Sequence, residues 1–381
     1  MRWPRGFSSA AVRSGLKPSG TLDLGVLASD RPATLAGLST SNLVKAAPVR
    51  VTQRVIDAGR ARAVVVNAGN ANACTGDRGI EVAEMMQAAT ADLLGCDPNE
   101  VAVASTGIIG VQMPTELVRE GIAMTADATS SEVLPLARAI MTTDTRPKIA
   151  EAAVGSARIV GIAKGAGMIA PEMATMLCFI ATDAQVGRED LDAALRSAAS
   201  NSFEQISVDG CMSTNDTVLL LANGAAGPVD PEAFSAALSA VCASLADQIV
   251  SDGEGATKVI DIFVGGARDL AAARRCARSV ADSVLFRCAM NGGDPNWGRI
   301  LSALGASGAD IDPDRIAVRI GGEDLCVGGE RGPGDLAKAE AALKADRIRV
   351  DIDLGMGDQA AKVTTNDLSA EYVRINAEYT T

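Results

Sequence analysis

Lys164-Gly165-Ala166-Gly167-Met168-Ile169-Ala170-Pro171-Glu172-Met173-Ala174-Thr175-Met176-Leu177-Cys178-Phe179-Ile180, near the middle of the chain, joins two β-prone runs through a glycine-rich corner. Arg158 to Ala163 alternates and reads as a strand; Leu177 to Thr182 is a run of apolar and β-prone residues and reads as a second, buried one. Gly165 and Gly167 allow positive φ and close backbone approach, while Pro171 stiffens the return into the second strand. Thr175 therefore stands at a strand start.

A lone threonine hydroxyl is a poor nucleophile, because something must take its proton. The usual helper is missing, since the chain contains no histidine, and every Ser-His, Cys-His or His-metal scheme is excluded. One solution needs no imidazole. If the chain is cut before the threonine, the new α-amine becomes the base, and an α-amino group titrates near pH ~7.7 to 8.0, so part of it is neutral at cytoplasmic pH. Small Ala174 leaves room for the Thr175 hydroxyl to attack its carbonyl, giving an N-to-O acyl shift followed by hydrolysis.

The segment from Lys164 to Thr182 closely resembles the self-cleaving centre of the ornithine acetyltransferase (glutamate N-acetyltransferase) family, in which a Lys-Gly-x-Gly-Met corner leads into Met-Ala-Thr-Met-Leu and the threonine is the nucleophile. The resemblance implies cleavage between Ala174 and Thr175, leaving an alpha chain, 1–174, and a beta chain, 175–381. Taken alone, so short a motif reads more readily as a glycine-rich hairpin with a buried threonine. The rest of the chain reverses that balance.

At 381 residues, with 48% hydrophobic, 22% charged and only 3% aromatic residues, the core must be Ala, Val, Leu and Ile in layered α/β architecture. The net charge of -12 argues against sequence-independent binding of nucleic acid. Eight cysteines without a Cys-x-x-Cys pair read as reduced and buried in a cytosolic protein. The amino end lacks the apolar core of a signal peptide and no apolar run reaches spanning length, so a soluble, cytoplasmic protein away from membranes is expected.

Further family patterns run from about Phe7 to Thr381. Ala36-Gly37-Leu38-Ser39-Thr40-Ser41-Asn42-Leu43-Val44-Lys45-Ala46-Ala47-Pro48-Val49 follows probable strands at Leu22 to Leu27 and Ala33 to Leu38. Arg62 to Asn67 is a strand before the loop Ala68 to Gly76, and Val82, Met85, Met86, Ala89 and Leu93 mark the face of the next helix. Val101 to Ala104 runs into Ser105-Thr106-Gly107, where a hydroxyl and exposed N–H groups meet the requirements of an oxyanion hole. By resemblance that role falls to Thr106 and Gly107. Helical segments near Thr115 to Ile122 and Ser131 to Ile140 lead to Met141-Thr142-Thr143-Asp144-Thr145-Arg146-Pro147-Lys148, where Thr142 is the substrate contact chosen over Thr143.

Downstream, a helix carries Leu191, Ala194, Leu195 and Ala198, and Phe203 to Val208 reads as a strand. Asp209 to Thr217 resembles a segment beside the family's active centre, with Asn215 and Asp216 as supports of the site. Val218 to Ala222 is a buried run, and Asp230-Pro231 opens a helix with face Phe234, Leu238, Val241, Cys242, Leu245 and Ile249. Ser251-Asp252-Gly253-Glu254-Gly255-Ala256-Thr257-Lys258 is no P-loop, because its Lys lacks the preceding Gly and an acid fills the loop centre. Glu254 suits an ammonium group. Strands at Lys258 to Val264, Ile316 to Ile320 and Ile348 to Leu354, and helices at Asp269 to Ala281 and Pro333 to Lys344, precede a polar terminus that would ordinarily fray. By resemblance, Asn376 and Thr381 of that terminus return to the active centre.

The resemblance implies an α/β fold of layered sheets sandwiched by helices, the ornithine acetyltransferase (DmpA/ArgJ-like) fold, with two interwoven cleavage products. It implies an N-acetyltransferase of arginine biosynthesis that moves acetyl from N2-acetylornithine to glutamate through acetyl-Thr175. Lys164, Thr142, Thr175, Glu254, Asn376 and Thr381 would bind substrate, with no metal or organic cofactor and two copies of each chain in a heterotetramer. Acetyl-coenzyme A stays open as an added donor. Departures from the family pattern at Ser39, Leu43, Glu172 and Cys211-Met212 allow a specialised paralogue acting on another basic amino acid, and related self-cleaving folds add a second alternative, an amidase or aminopeptidase that passes the acyl group to water. An uncleaved paralogue that only binds amino acids is the third.

Overall fold

Both strands expected around the glycine corner form, and they pair with each other. In the computed structural model, which describes residues 1–170 and 176–378, Ala157–Lys164 and Leu177–Gln185 run antiparallel, with Lys164 opposite Leu177 and Ile159 opposite Thr182. Gly165 takes the positive φ expected of it, at 153°. The second positive φ falls on Met168, at 57°, and not on Gly167.

The described chain packs as two units, the first holding residues 1–204 and 211–249 and the second residues 205–210 and 250–378. In the first are β1 (Phe7–Val12), β2 (Leu24–Ser39), α1 (Ala47–Ala58), β3 (Arg60–Asn70), α2 (Gly76–Leu94), β4 (Val101–Ile108), α3 (Thr115–Met124), α4 (Leu134–Ala139), β5 (Lys148–Val154), β6 (Ala157–Lys164), β7 (Leu177–Gln185), α5 (Arg188–Ser200), β8 (Thr217–Pro228) and α6 (Pro231–Ser251). The strands form one eight-stranded sheet in the order β4-β3-β2-β8-β7-β6-β5, with β1 added along β2. β7 and β8 come from downstream of the corner. They lie inside the sheet, with upstream strands on both sides.

Alternation along β3 puts Val64 and Val66 in one buried cluster and Ala63 and Val65 in another, so both faces of the sheet are covered. The two short strands expected at Leu22 to Leu27 and Ala33 to Leu38 are one sixteen-residue strand, bent by a register shift between Ala28 and Ala33. On α2 the buried face is Val82, Ala83, Met86 and Thr90; Met85 is half-buried and Leu93 is exposed. α6 is long and apolar enough to cross a membrane by length and composition, with mean hydropathy 1.5 over its best window, which corrects the expectation that no apolar run reaches that length. Its expected face is nevertheless buried, and Val241 and Leu245 sit where a side chain on Gly161 of β6 would lie.

The second unit contains β9 (Val259–Ala267), α7 (Leu270–Ala281), α8 (Val284–Gly292), α9 (Trp297–Gly305), β10 (Ala317–Ile320), β11 (Glu323–Val327), β12 (Glu330–Arg331), α10 (Leu336–Ala342), β13 (Arg347–Asp353), β14 (Gln359–Asn366) and α11 (Ala370–Glu378). Its six-stranded sheet has the order β12-β11-β10-β13-β9-β14. Ile260, Ile262 and Val264 of β9 pack with Ala273, Cys276, Ala277 and Val280 of α7. The opposite face carries charge: Asp261 accepts from Arg347 Nε at 2.7 Å, and Arg349 lies 4.2 Å over the Phe263 ring. The Asp261 carboxyl is held down to about 2, burial being outweighed by its bonds to Arg347, Lys362 and Thr364.

Three expectations fail here. Phe203 to Val208 is no strand: it is a 3-10 turn at Phe203–Gln205, followed by a single bridge from Ile206 to Thr364. The polar terminus is helical as far as Glu378. Nor are the cysteines uniformly buried, since Cys74, Cys211 and Cys288 are exposed, although all eight are free thiols.

β4 is a sheet edge, and α1 covers it. The Thr52 hydroxyl donates to the Val103 carbonyl and accepts from the Val103 N–H, both at 2.7 Å. Thr52→Val keeps the shape and strands both groups in the interior. The expected outcome is a loss of about 2 to 4 kcal/mol, read as a lowered urea midpoint with an unchanged slope.

Candidate active site

Three stretches singled out in the sequence converge at the ends of β4, β6 and β8 in the first unit. Thr106, 4% exposed, stands two residues before the end of β4, next to Gly107, whose φ is 132°. Gly107 faces Gly69 across the β3–β4 pairing, and a Cβ on it would fall 2.3 Å from the Gly69 carbonyl carbon. Glycine is therefore demanded at position 107 by backbone packing. Lys164, at the end of β6, donates its ammonium to Thr106 Oγ1 at 3.2 Å. Two of the expected site residues thus touch.

The hub beneath them was quoted in the sequence but given no role. Asp144 Oδ1 accepts from Lys148 Nζ at 2.6 Å, with both side chains fully buried, and from the Gly165 N–H at 2.7 Å. Its Oδ2 accepts from the Thr142 N–H at 2.9 Å. One carboxylate thereby fixes the corner after Lys164 and the backbone of Thr142. Burial opposes the charge on Asp144, but Lys164 and Lys148 outweigh it and hold the carboxyl below its usual range. Lys17 lies close enough to feel both Lys164 and Asp144, and burial lowers its pKa to about 8; its ammonium donates to the carbonyls of Leu22 and Ala139. Asp144 and Lys148, four residues apart, were the readable signal for this hub; Lys17 had none.

Asn215 does what a support should do. Its Nδ2 donates to the Ala71 carbonyl at 2.6 Å and to the Ser105 carbonyl at 2.8 Å, tying the end of β3 to the residue before Thr106. Asp216 accepts the Met176 N–H at 3.0 Å, and Thr217 N–H donates to the Met176 carbonyl at 3.1 Å. Residue 176 is thus held on both sides. A cavity of about 440 Å³ bounded by Ser39, Gln53, Arg188 and Arg196 does not include Thr106 or Lys164. Its arginines are engaged, Arg188 by the Asp57 carbonyl and Arg196 by Asp192. Leu43, another departure from the family pattern, is 99% exposed.

In the second unit, two more expected residues meet: Asn376 Nδ2 donates to Glu254 Oε2 at 2.7 Å. The Thr257 and Lys258 that follow Glu254 serve the loop itself. Asp367 takes the N–H groups of both at 2.8 Å and the Thr257 hydroxyl at 2.5 Å. Lys258 Nζ caps the end of α8 through the carbonyls of Met290 and Asn291. Ala174, Thr175 and Thr381 lie outside the described residues.

A model of the ArgJ family matches residues 8–381. The chain belongs to the ArgJ family. The arginine biosynthesis bifunctional protein ArgJ of Geobacter sulfurreducens is 48% identical over 391 residues, covering 99% of each chain. A glutamate N-acetyltransferase of Methanopyrus kandleri is 44% identical over 393 residues, covering all of both. In structure, the chain is similar to the crystallised arginine biosynthesis bifunctional protein ArgJ of Bacillus halodurans, at 38% identity and a TM-score of 0.51, over 53% of this chain and 98% of that one. The α/β fold of this ArgJ family member is the layered one expected.

Asp144→Asn removes the charge between two buried lysines, and the expected loss is about 3 kcal/mol or more at pH 7. Because the folded-state carboxyl titrates below its ordinary value, the unfolded chain binds the proton first as pH falls. The stabilisation is therefore whole above about pH 4 and lost as pH drops through the depressed value. Urea midpoints from pH 7 to 3 should fall more steeply for the parent chain than for the variant.

Proposed function

We propose that the protein is an acyltransferase of arginine biosynthesis, which moves the acetyl group of N2-acetylornithine to glutamate through an ester on Thr175, after cutting itself between Ala174 and Thr175. The observation that carries this reading is the sheet order. β7 and β8 lie between β2 and β6, so a chain cut between residues 174 and 175 leaves two pieces laced through one sheet. They would stay joined by the β6–β7 and β2–β8 ladders. The crystallised B. halodurans chain supports the same reading, since 98% of it corresponds to 53% of this one, and the piece beginning at Thr175 would be just over half of the 381 residues.

The chemistry follows from the groups present. The freed α-amine of Thr175 takes the hydroxyl proton, and Oγ attacks the acetyl carbonyl. Thr106 and Gly107 bear the oxyanion, with the Lys164 ammonium 3.2 Å from Thr106 Oγ1 adding positive charge at that spot. Ornithine departs with the proton on its α-nitrogen, leaving acetyl-Thr175. Glutamate then enters, and its amine collects the acetyl group in the reverse sequence. We assign the substrate α-carboxylate to Lys164, whose ammonium lies at Thr106, together with Thr142. Glu254, carried by Asn376, takes the side-chain ammonium of ornithine, and Thr381 completes the substrate contacts. No step calls on a metal or an organic cofactor. We place the enzyme in the cytoplasm, where its free cysteines stay reduced, as a heterotetramer of two alpha and two beta chains.

Thr175→Ala should run as one uncut chain on a denaturing gel and transfer no acetyl group; two pieces of the expected masses from that variant would refute the cleavage site. Glu254→Gln should raise KM for N2-acetylornithine by about 10- to 100-fold and leave KM for glutamate far less altered. Steady-state assays with each substrate varied in turn check the asymmetry.

A further inference from the structure

Before the chain is cut, residue 175 has no α-amine. The group that serves as base in acetyl transfer therefore cannot serve in the cleavage that creates it. Cleavage by an N-to-O acyl shift needs a proton taken from the Thr175 hydroxyl and a proton delivered to the departing nitrogen of residue 175. With no histidine in the chain, a carboxyl group is the natural carrier.

Asp144 is not available for this work. Its oxygens are held by Lys148 and two backbone N–H groups, and the surrounding ammonium groups keep it ionised. Asp216 is placed quite differently. It is fully buried, and its Oδ1 accepts the N–H of the peptide unit that joins residues 175 and 176. Three covalent bonds separate that nitrogen from the nitrogen of residue 175, a span under about 4 Å. Oδ2 is sealed from solvent and accepts no hydrogen bond from any described group. A buried polar oxygen in that condition calls for an explanation.

We propose that Asp216 is the proton carrier of self-cleavage, its Oδ2 giving a proton to the nitrogen of residue 175 and recovering one from the Thr175 hydroxyl. As the Oγ–C bond to the Ala174 carbonyl forms and the C–N bond breaks, the neutral Asp216 carboxyl gives its proton to the nitrogen of residue 175, and the carboxylate so formed takes the proton of the Thr175 hydroxyl. The carboxyl ends as it began, and water then hydrolyses the Ala174 ester, restoring the Thr175 hydroxyl and leaving a carboxylate on Ala174. Burial pushes the Asp216 carboxyl well above its usual range, against the pull of the Met176 N–H, the Lys164 charge and the Ser213 and Thr40 hydroxyls. Burial thus favours the protonated form, in which Oδ2, which accepts nothing, can donate. The Met176 anchor fixes the carrier beside the reacting residue from either side of the cut.

The inference rests on Thr175 as the cleavage nucleophile, and one set of full-length variants separates the two. Asp216→Asn keeps an oxygen for the Met176 N–H but has no acidic proton. It should fold, with the circular dichroism and melting profile of the parent, and cut itself at least about 100-fold more slowly, as followed by intact mass. If the Asn variant cuts at the parent rate while Thr175→Ala stays whole, Asp216 is not the carrier and the nucleophile stands. If Thr175→Ala itself splits at the same bond, the nucleophile falls instead. Asp216→Ala guards against a misfolded Asn variant: formate, which fits the vacated space, should quicken its cutting in proportion to concentration. No response to formate overturns the proposal.

Discussion

The position of β7 and β8 inside the first sheet is the constraint on which the rest of the molecule depends. Each is hydrogen-bonded on both edges, β7 to β6 and β8, and β8 to β7 and β2. Phe179, Leu219 and Leu221 are fully buried in one cluster with Leu35, Val64 and Ile162 from upstream strands. Each such side chain is stabilised by roughly 1.5 to 3 kcal/mol through burial. Against that, one peptide bond at a corner between β6 and β7 contributes only local chain connection. The sheet makes the corner a place where the backbone can be opened at small cost to the fold.

The same geometry gathers the polar groups. The ends of β4, β6 and β8 bring Thr106, Lys164 and Asn215 together, and Asp144 ties the corner to the Thr142 segment through backbone N–H groups. A buried carboxylate with two buried lysines is weak ground for stability, since desolvation offsets most of the attraction. Its value lies in placement and sign. Lys148 bonds to Asp144 directly at 2.6 Å, while the ammonium of Lys164 reaches Thr106. Both lysines are held where they would be strongly disfavoured without an anion nearby.

The glycine corner, the strands around it and the helix faces from Leu191 and Phe234 could be read from the sequence because period and turn chemistry agree there. The failures have physical causes. The β-prone pattern of β2 is interrupted by Asp30-Arg31-Pro32, and those residues form the bulged middle of one strand. Phe203 to Val208 is apolar enough for a strand but has only a single bridge partner, so local pattern had no ladder to join. On α2, Met85 and Ala89 fit a helical face as well as Ala83 and Thr90 do, and only the packing on β4 decides between them. Asp367 escaped notice because it is one acid at the end of the polar run Thr364-Thr365-Asn366, which hides the fact that it organises the loop after Glu254. The site residues Thr106, Lys164, Glu254 and Asn376 were legible by family pattern; their pairwise contacts were not.

Two aspartates complete the argument, because the fold drives them in opposite directions. Both feel the charge of Lys164. Asp144 adds a direct ion pair and two backbone N–H donors, which favour the ionised form over its burial. Asp216 has one N–H donor, no ammonium in contact, and complete burial, which favour the neutral form. Environments that push two like groups apart divide acid from anchor in many catalytic centres. Here the division falls on either side of the glycine corner: the ionised carboxylate grips Gly165 before it, and the neutral one grips Met176 after it. A chain without imidazole must move protons with other groups, and buried carboxyls are at hand beside this corner. Of these two buried carboxyls, burial prevails in Asp216 alone and favours the form that can give a proton.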